Sequence, residues 1–107
     1  IMALSYSGRW DIAQAFRSLA GKIQAGEISP DAVDADAISQ HLATRDFPDP
    51  ELMIRTSGEH RISNFLLWQS AYAEMVFMDV LWPDVDRRTL WQAIEIYAER
   101  NRRFGKA

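Results

Sequence analysis

Leu52-Met-Ile-Arg-Thr-Ser-Gly-Glu-His-Arg-Ile-Ser-Asn-Phe-Leu-Leu-Trp68 is the stretch on which the reading of this 107-residue chain turns. Leu52, Met53 and Ile54 form a very short apolar run, long enough only for a buried strand. Polar residues 55–61 interrupt it. Ser63 or Asn64 then offers a helix cap, and Phe65-Leu-Leu-Trp68 leads a predicted helix that continues to about Tyr72. That helix is apolar on nearly every side, so burial is expected. Strand, polar loop and buried helix in succession are the elements of an α/β layer.

Working outward, Met75-Val-Phe77 reads as a second short strand. Trp82-Pro-Asp84 breaks the chain before a last helix over residues 87–101, with Leu90, Ile94 and Tyr97 or Ala98 on its inner face. Upstream, Phe47-Pro-Asp-Pro50 is a loop, since neither proline continues a helix or donates to a ladder. Ser29-Pro-Asp31 signals a helix start, so a helix is predicted within residues 30–42, burying Val33, Ile38 and Leu42. Another is predicted over residues 10–24, where Ile12, Phe16, Leu19 and Ile23 share one face. Gly26 ends it. Residues 1–6 read as a strand whose apolar character begins at once, as though the chain opens part-way into a longer domain. The order implies an α/β fold: a parallel sheet covered by helices on both faces, with about three strands and four helices.

Composition narrows the function classes. Hydrophobic residues make up 48% of the chain, including four tryptophans, which supports a packed core and argues against disorder. The tryptophans read as core or interface residues. The length suits one domain. A net charge of -3 argues against nucleic acid as a partner. The only dense basic run, Arg100, Arg102, Arg103 and Lys106, reads more readily as a solvated helix end than as a site. With no cysteine, disulfide and thiol chemistry are excluded. No apolar run approaches the roughly 20 residues that span a bilayer, and no leader is recognisable, so a cytoplasmic location is expected.

Chemistry concentrates at residues 55–63. Ligands of open α/β sheets gather beyond the carboxyl ends of strands. Arg55 and Arg61 supply bidentate donors there, Ser63 a hydroxyl, and the predicted helix start a positive dipole end; these are the components of a phosphate or diphosphate site. The competing reading is a surface loop with two solvated arginines and an ordinary cap. Glu59 and His60 lie between the arginines, and Glu74 opens the next strand. A carboxylate beside a diphosphate commonly serves magnesium, although Glu74 equally suits a nearby arginine. Two histidines without cysteine exclude zinc. Tyr6-Ser-Gly-Arg9 is a second, weaker glycine-containing turn.

The run from Ile54 to Glu74, Leu81-Trp-Pro-Asp84, Tyr6-Ser-Gly-Arg-Trp-Asp-Ile12 and Arg102-Arg-Phe-Gly105 together resemble the C-terminal half of the undecaprenyl diphosphate synthases, bacterial cis-prenyltransferases. Ser7 stands where many relatives carry glycine. The resemblance implies an enzyme that condenses isopentenyl diphosphate onto an allylic diphosphate, farnesyl diphosphate, to make a cell-wall lipid carrier precursor. It implies that Arg55, Arg61, Ser63 and the backbone of Ile62 hold the isopentenyl diphosphate head group. Glu74 and His60 would serve Mg2+, with Glu59 close by. Arg103 and Gly105 would reach the active site across a homodimer interface, and the lipid product would bring a peripheral membrane contact. The family's N-terminal motif, His-x-Met-Asp-Gly-Asn-Gly-Arg-Trp, which supplies a metal-binding aspartate, has no counterpart here. The resemblance therefore implies a chain inactive by itself, lacking the N-terminal half of its domain. The alternatives are a non-catalytic subunit of the same fold and an unrelated phosphate-binding α/β domain.

Overall fold

A computed structural model describes residues 1–101, 103 and 105. The chain, read from its length as one domain, parts into two compact units: residues 1–49 with 64–69, and residues 50–63 with 70 onward.

The first unit is organised by helix α1, Gly8–Gln24, whose cap Ser7 accepts from the Trp10 amide at 3.2 Å. Its buried residues are Gly8, Asp11, Ala15 and Leu19, so of the predicted stripe only Leu19 is fully enclosed. Phe16 is 72% exposed, and Ile12, Phe16 and Ile23 instead line an apolar groove of about 340 Å³ with Val33 and Ile38. On the inward face Gly8 admits the close approach of Asn64 and Leu67, and Asp11 is held by hydrogen bonds from Tyr6, Ala43 and Gln69. A Cβ on Gly8 would lie 2.8 Å from Leu67 Cγ and 2.9 Å from the Asn64 carbonyl oxygen.

The helix predicted within residues 30–42 is present but short, and the span is divided. A 3-10 turn, Pro30–Ala32, is followed by extended Val33 and then by α2, Ala35–Ser39. Asp34 causes the division, because its carboxylate caps the Ala37 amide at 2.8 Å and so starts a new helix rather than continuing the old one. Leu42 is buried as expected, 1% exposed.

The second unit holds a parallel pair of strands, β1 (Leu52–Arg55) and β2 (Glu74–Phe77), with Leu52 opposite Glu74 and Arg55 opposite Phe77. Helix α3, Arg87–Ala98, packs on β2. Asp86 and Thr89 close a capping box at its start. Ala93 is its buried residue, while Leu90 and Ile94, predicted to face inward, are 48% and 44% exposed.

The α/β class holds, with fewer elements than predicted: two strands and three α-helices among the described residues. Residues 1–6 are not a strand; Ile1, Met2 and Leu4 are exposed, and Ser5 adopts φ +54, a left-handed turn that breaks an extended run. Residues 63–72 form successive turns in place of a helix. Ser63, Asn64 and Leu66 have φ of +51, +62 and +47, and an L-residue helix cannot pass through such values.

Candidate functional site

The carboxyl end of the strand pair carries the predicted site loop. Ladder contacts continue past the strands: Met78 N donates to Arg55 O at 2.8 Å, Ser57 N to Val80 O at 2.8 Å and Gly58 N to Met78 O at 3.1 Å. Thr56-Ser-Gly-Glu59 then reverses the chain, closed by Glu59 N donating to Thr56 O at 3.4 Å. Both central residues are left-handed, Ser57 at φ +65 and Gly58 at +67, the pattern of a type I′ turn. Gly58 meets that requirement without strain. This tight turn places Arg55 on its entering limb and Glu59, His60 and Arg61 on its leaving limb.

Strand geometry sorts the predicted residues by face. Residues paired in register share a sheet face and successive residues alternate. Arg55, half-buried, therefore stands on the face of Phe77, and the His60 ring packs on Phe77 with centroids 5.0 Å apart. Arg61 is ion-paired with Glu59; its side chain is 68% exposed and that of Glu59 38%. Ile62 is half-buried, and Ser63 is exposed. Because residues 63 and 64 are left-handed, the helix end predicted to complete the anion site is not formed. Of the predicted cationic components, the described loop retains Arg55 and Arg61.

Glu74 is placed elsewhere. It opens β2, three residues before Phe77, which is roughly 10 Å along the strand at about 3.3 Å per residue. It also lies on the opposite sheet face, with buried Val76. Its Oε2 accepts from Arg100 Nη1 at 3.3 Å, so the second option left open for this carboxylate, an arginine partner, describes its contact. Glu74 and His60 thus do not converge, and no cluster of three metal-binding side chains occurs among the described residues. Arg103 and Gly105 are exposed, Gly105 in a turn at φ +75. Arg102 and Lys106, the rest of the basic run apart from Arg100, lie outside the described residues, as does Phe104 of the tail motif.

Sequence reasoning missed two features. One is a cavity of about 280 Å³ beyond the end of β2, lined by Phe77, Asp79, Thr89 and Gln92 among others. The other is a buried polar network on α1. Asp11, 2% exposed, accepts from the Ala43 amide at 2.8 Å, the Tyr6 hydroxyl at 2.9 Å and Gln69 Nε2 at 3.1 Å, and Gln69 also donates to Thr44 Oγ1 at 2.9 Å. Burial, followed by the hydrogen bond and charge of Asp11, pushes the Tyr6 phenol up to about 12. Asp11 lies beside the stripe of Ile12, Phe16, Leu19 and Ile23 rather than within it, so hydrophobic spacing carried no signal for it.

The family model for undecaprenyl diphosphate synthase matches residues 1–105. The chain is 53% identical over 106 residues to an isoprenyl transferase of Porphyromonas gingivalis, covering 99% of this chain and 42% of that protein. It is 52% identical over 104 residues to the ditrans,polycis-undecaprenyl-diphosphate synthase ((2E,6E)-farnesyl-diphosphate specific) of Escherichia coli K12, covering 97% and 41%. Among solved structures it resembles lavandulyl diphosphate synthase from Lavandula x intermedia in complex with dimethylallyl diphosphate. The TM-score is 0.94 at 42% identity, over 97% of this chain and 45% of that one. The chain therefore spans about two-fifths of the length of the curated relatives it matches.

Proposed function

The chain belongs to the undecaprenyl diphosphate synthase family, and on that premise we propose that it supplies the isopentenyl diphosphate site of a cis-prenyltransferase. The whole enzyme would join isopentenyl diphosphate to an allylic diphosphate such as farnesyl diphosphate, extending it towards undecaprenyl diphosphate. The isopentenyl double bond attacks the allylic carbon, the allylic diphosphate departs with the bonding pair, and a proton is lost to give the new double bond.

The observation that carries this reading is the loop at the carboxyl end of the parallel strands, where Arg55 and Arg61 flank a turn closed within four residues. Their part is to bind and orient. Two guanidinium groups neutralise a diphosphate through paired N–H donors, and Ser63, whose hydroxyl is exposed, adds a donor, with Ile62 contributing backbone. Fixing the head group holds the double bond towards the allylic carbon, so that orientation is paid before the reaction. Arriving phosphate oxygens compete with the Glu59 carboxylate for Arg61, and the exposure of that pair makes the exchange cheap.

Magnesium is the cofactor implied by the family, and the pair Glu74 and His60 does not fit it as a joint site. They occupy opposite faces and opposite ends of β2, and magnesium favours oxygen ligands in near-octahedral geometry. From this chain the ion would take the Glu74 carboxylate, after its release from Arg100. Arg103 and Gly105 are proposed to act on the active site of a second copy. No helix among the described residues is long and apolar enough to cross a membrane; contact with a bilayer would come through the lipid product.

The test is calorimetric titration of the chain with isopentenyl diphosphate, with and without magnesium. Arg55→Ala and Arg61→Ala are each expected to weaken binding by the roughly 1.5–3 kcal/mol of a charge-assisted contact. Unchanged affinity in both variants would remove the site assignment.

A further inference from the structure

Asn64 follows the proposed diphosphate-binding Ser63 in the chain and makes three directed hydrogen bonds. Its backbone carbonyl accepts from the Gly8 amide at 2.8 Å, its side-chain oxygen accepts from the Arg9 amide at 3.0 Å, and its side-chain amide donates to Ser7 Oγ at 2.8 Å. These three bonds engage three successive residues at the start of α1. Two of that helix's amides, which would otherwise lack partners, are satisfied in this way. Gly8 makes the approach feasible, since any Cβ there would fall within 3 Å of the Asn64 carbonyl oxygen.

We propose that Asn64 is a positioning residue for diphosphate binding, a clasp that fixes the exit of the 55–63 loop without touching the substrate. The inference rests on the proposed isopentenyl diphosphate site. The clasp holds Asn64 at φ +62, a conformation that asparagine tolerates better than most residues. Residues 63 and 64 share one planar peptide, so the clasp also fixes the plane in which the Ser63 carbonyl lies and restricts the swing of its Cα and hydroxyl. Ser63 is itself exposed and left-handed. The order of its hydroxyl therefore derives from the residue that follows it. A leucine or alanine at 64 would lose the side-chain bonds and strain the backbone together. Glycine separates the two effects, because it keeps the left-handed conformation without strain and removes only the side chain.

The experiment titrates isopentenyl diphosphate into the full chain as wild type, Asn64→Gly, Arg55→Ala and Leu19→Ala, at a temperature where circular dichroism shows each to be folded. Leu19 is buried in α1, 2% exposed, and reports destabilisation without loss of the clasp. Asn64→Gly is expected to weaken binding about 10-fold, the lower end of what loss of an orienting partner costs at metal sites. Leu19→Ala should lower the thermal midpoint at least as much and bind like wild type. Wild-type affinity in Asn64→Gly overturns the inference, as does equal weakening in Leu19→Ala, which would mean a general effect of stability. If Asn64→Gly does not fold, Ser7→Ala, which removes the acceptor of the Asn64 amide, is read against the same control. Failure of the underlying site reading is separate: the wild type would not bind, or Arg55→Ala would bind equally well.

Discussion

Replacing Asp11 tests directly what holds the first unit together. This carboxylate is 2% exposed and receives three neutral donors, the Ala43 amide, the Tyr6 hydroxyl and the Gln69 side-chain amide. Asp11→Ala leaves all three without their acceptor. A buried donor stranded in this way costs about 1–3 kcal/mol. Gln69 keeps Thr44 as a partner, and the bonds from Tyr6 and Ala43 are only part-buried, so each falls at the lower end. The sum is about 3–4 kcal/mol. Asp11→Asn should cost less, about 1–2 kcal/mol. One oxygen still accepts from Ala43, but an amide nitrogen now faces Tyr6 and Gln69, one of which must turn. Urea unfolding followed by circular dichroism measures both variants, with an unchanged slope showing that stability alone has moved. A midpoint for Asp11→Ala matching wild type, or equal losses in the two variants, would refute the argument that satisfied donors hold this unit together.

Gly8→Ala should destabilise by about 1–3 kcal/mol in the same assay, the usual cost of overpacking, because its methyl would meet the Asn64 backbone at 2.9 Å. Tyr6, with its pKa raised from 10.0 to about 12, contributes stability that is complete below pH 10 and is lost as pH rises towards 12, since the unfolded phenol ionises first. Thermal midpoints of wild type and Tyr6→Phe should therefore converge across that window, with phenolate absorbance following the titration directly. The Asp86 carboxyl is held below its ordinary value, chiefly by the Thr89 amide. Its capping contribution is present above that ordinary value and is lost as pH falls through the lowered one. Far-ultraviolet dichroism should show α3 weakening on acidification in wild type and no such acid dependence in Asp86→Ala.

What the sequence disclosed depended on which physical signal each segment carried. Helices α1 and α3 were legible from the helical spacing of their apolar residues; their caps, Ser7 accepting from Trp10 and Asp86 from Arg88 and Thr89, emerged only in the structure. The strands at residues 52 and 74 were legible as short apolar runs. The inward faces of the helices were less so. Hydrophobic spacing marks where apolar side chains could gather, but Gly8, Ala15 and Asp11 face inward on α1 for reasons of close approach and hydrogen bonding. Residues 64–72 misled because their composition favours a helix, while the backbone around Asn64 is committed by contacts with residues 7–9, distant in sequence. In the candidate site, the loop of Arg55, Glu59, His60 and Arg61 was visible as an irregular polar run. The separation of Glu74 from His60 was not, because facing follows from strand register, and register is a property of the pair.

That register has an engineering corollary. Side chains of β1 and β2 alternate between two surfaces with a period of two, and the strands are only four residues long. Deleting one residue anywhere in 52–54 would exchange the surface that displays the guanidinium of Arg55 for the one that shelters Ile54. Moving a charge by mutation alters one position, whereas changing the parity of the strand inverts the polarity of a whole layer. A graft of this loop onto another scaffold should therefore conserve the count of residues back to the pairing Leu52–Glu74, even where it is free to change their identity.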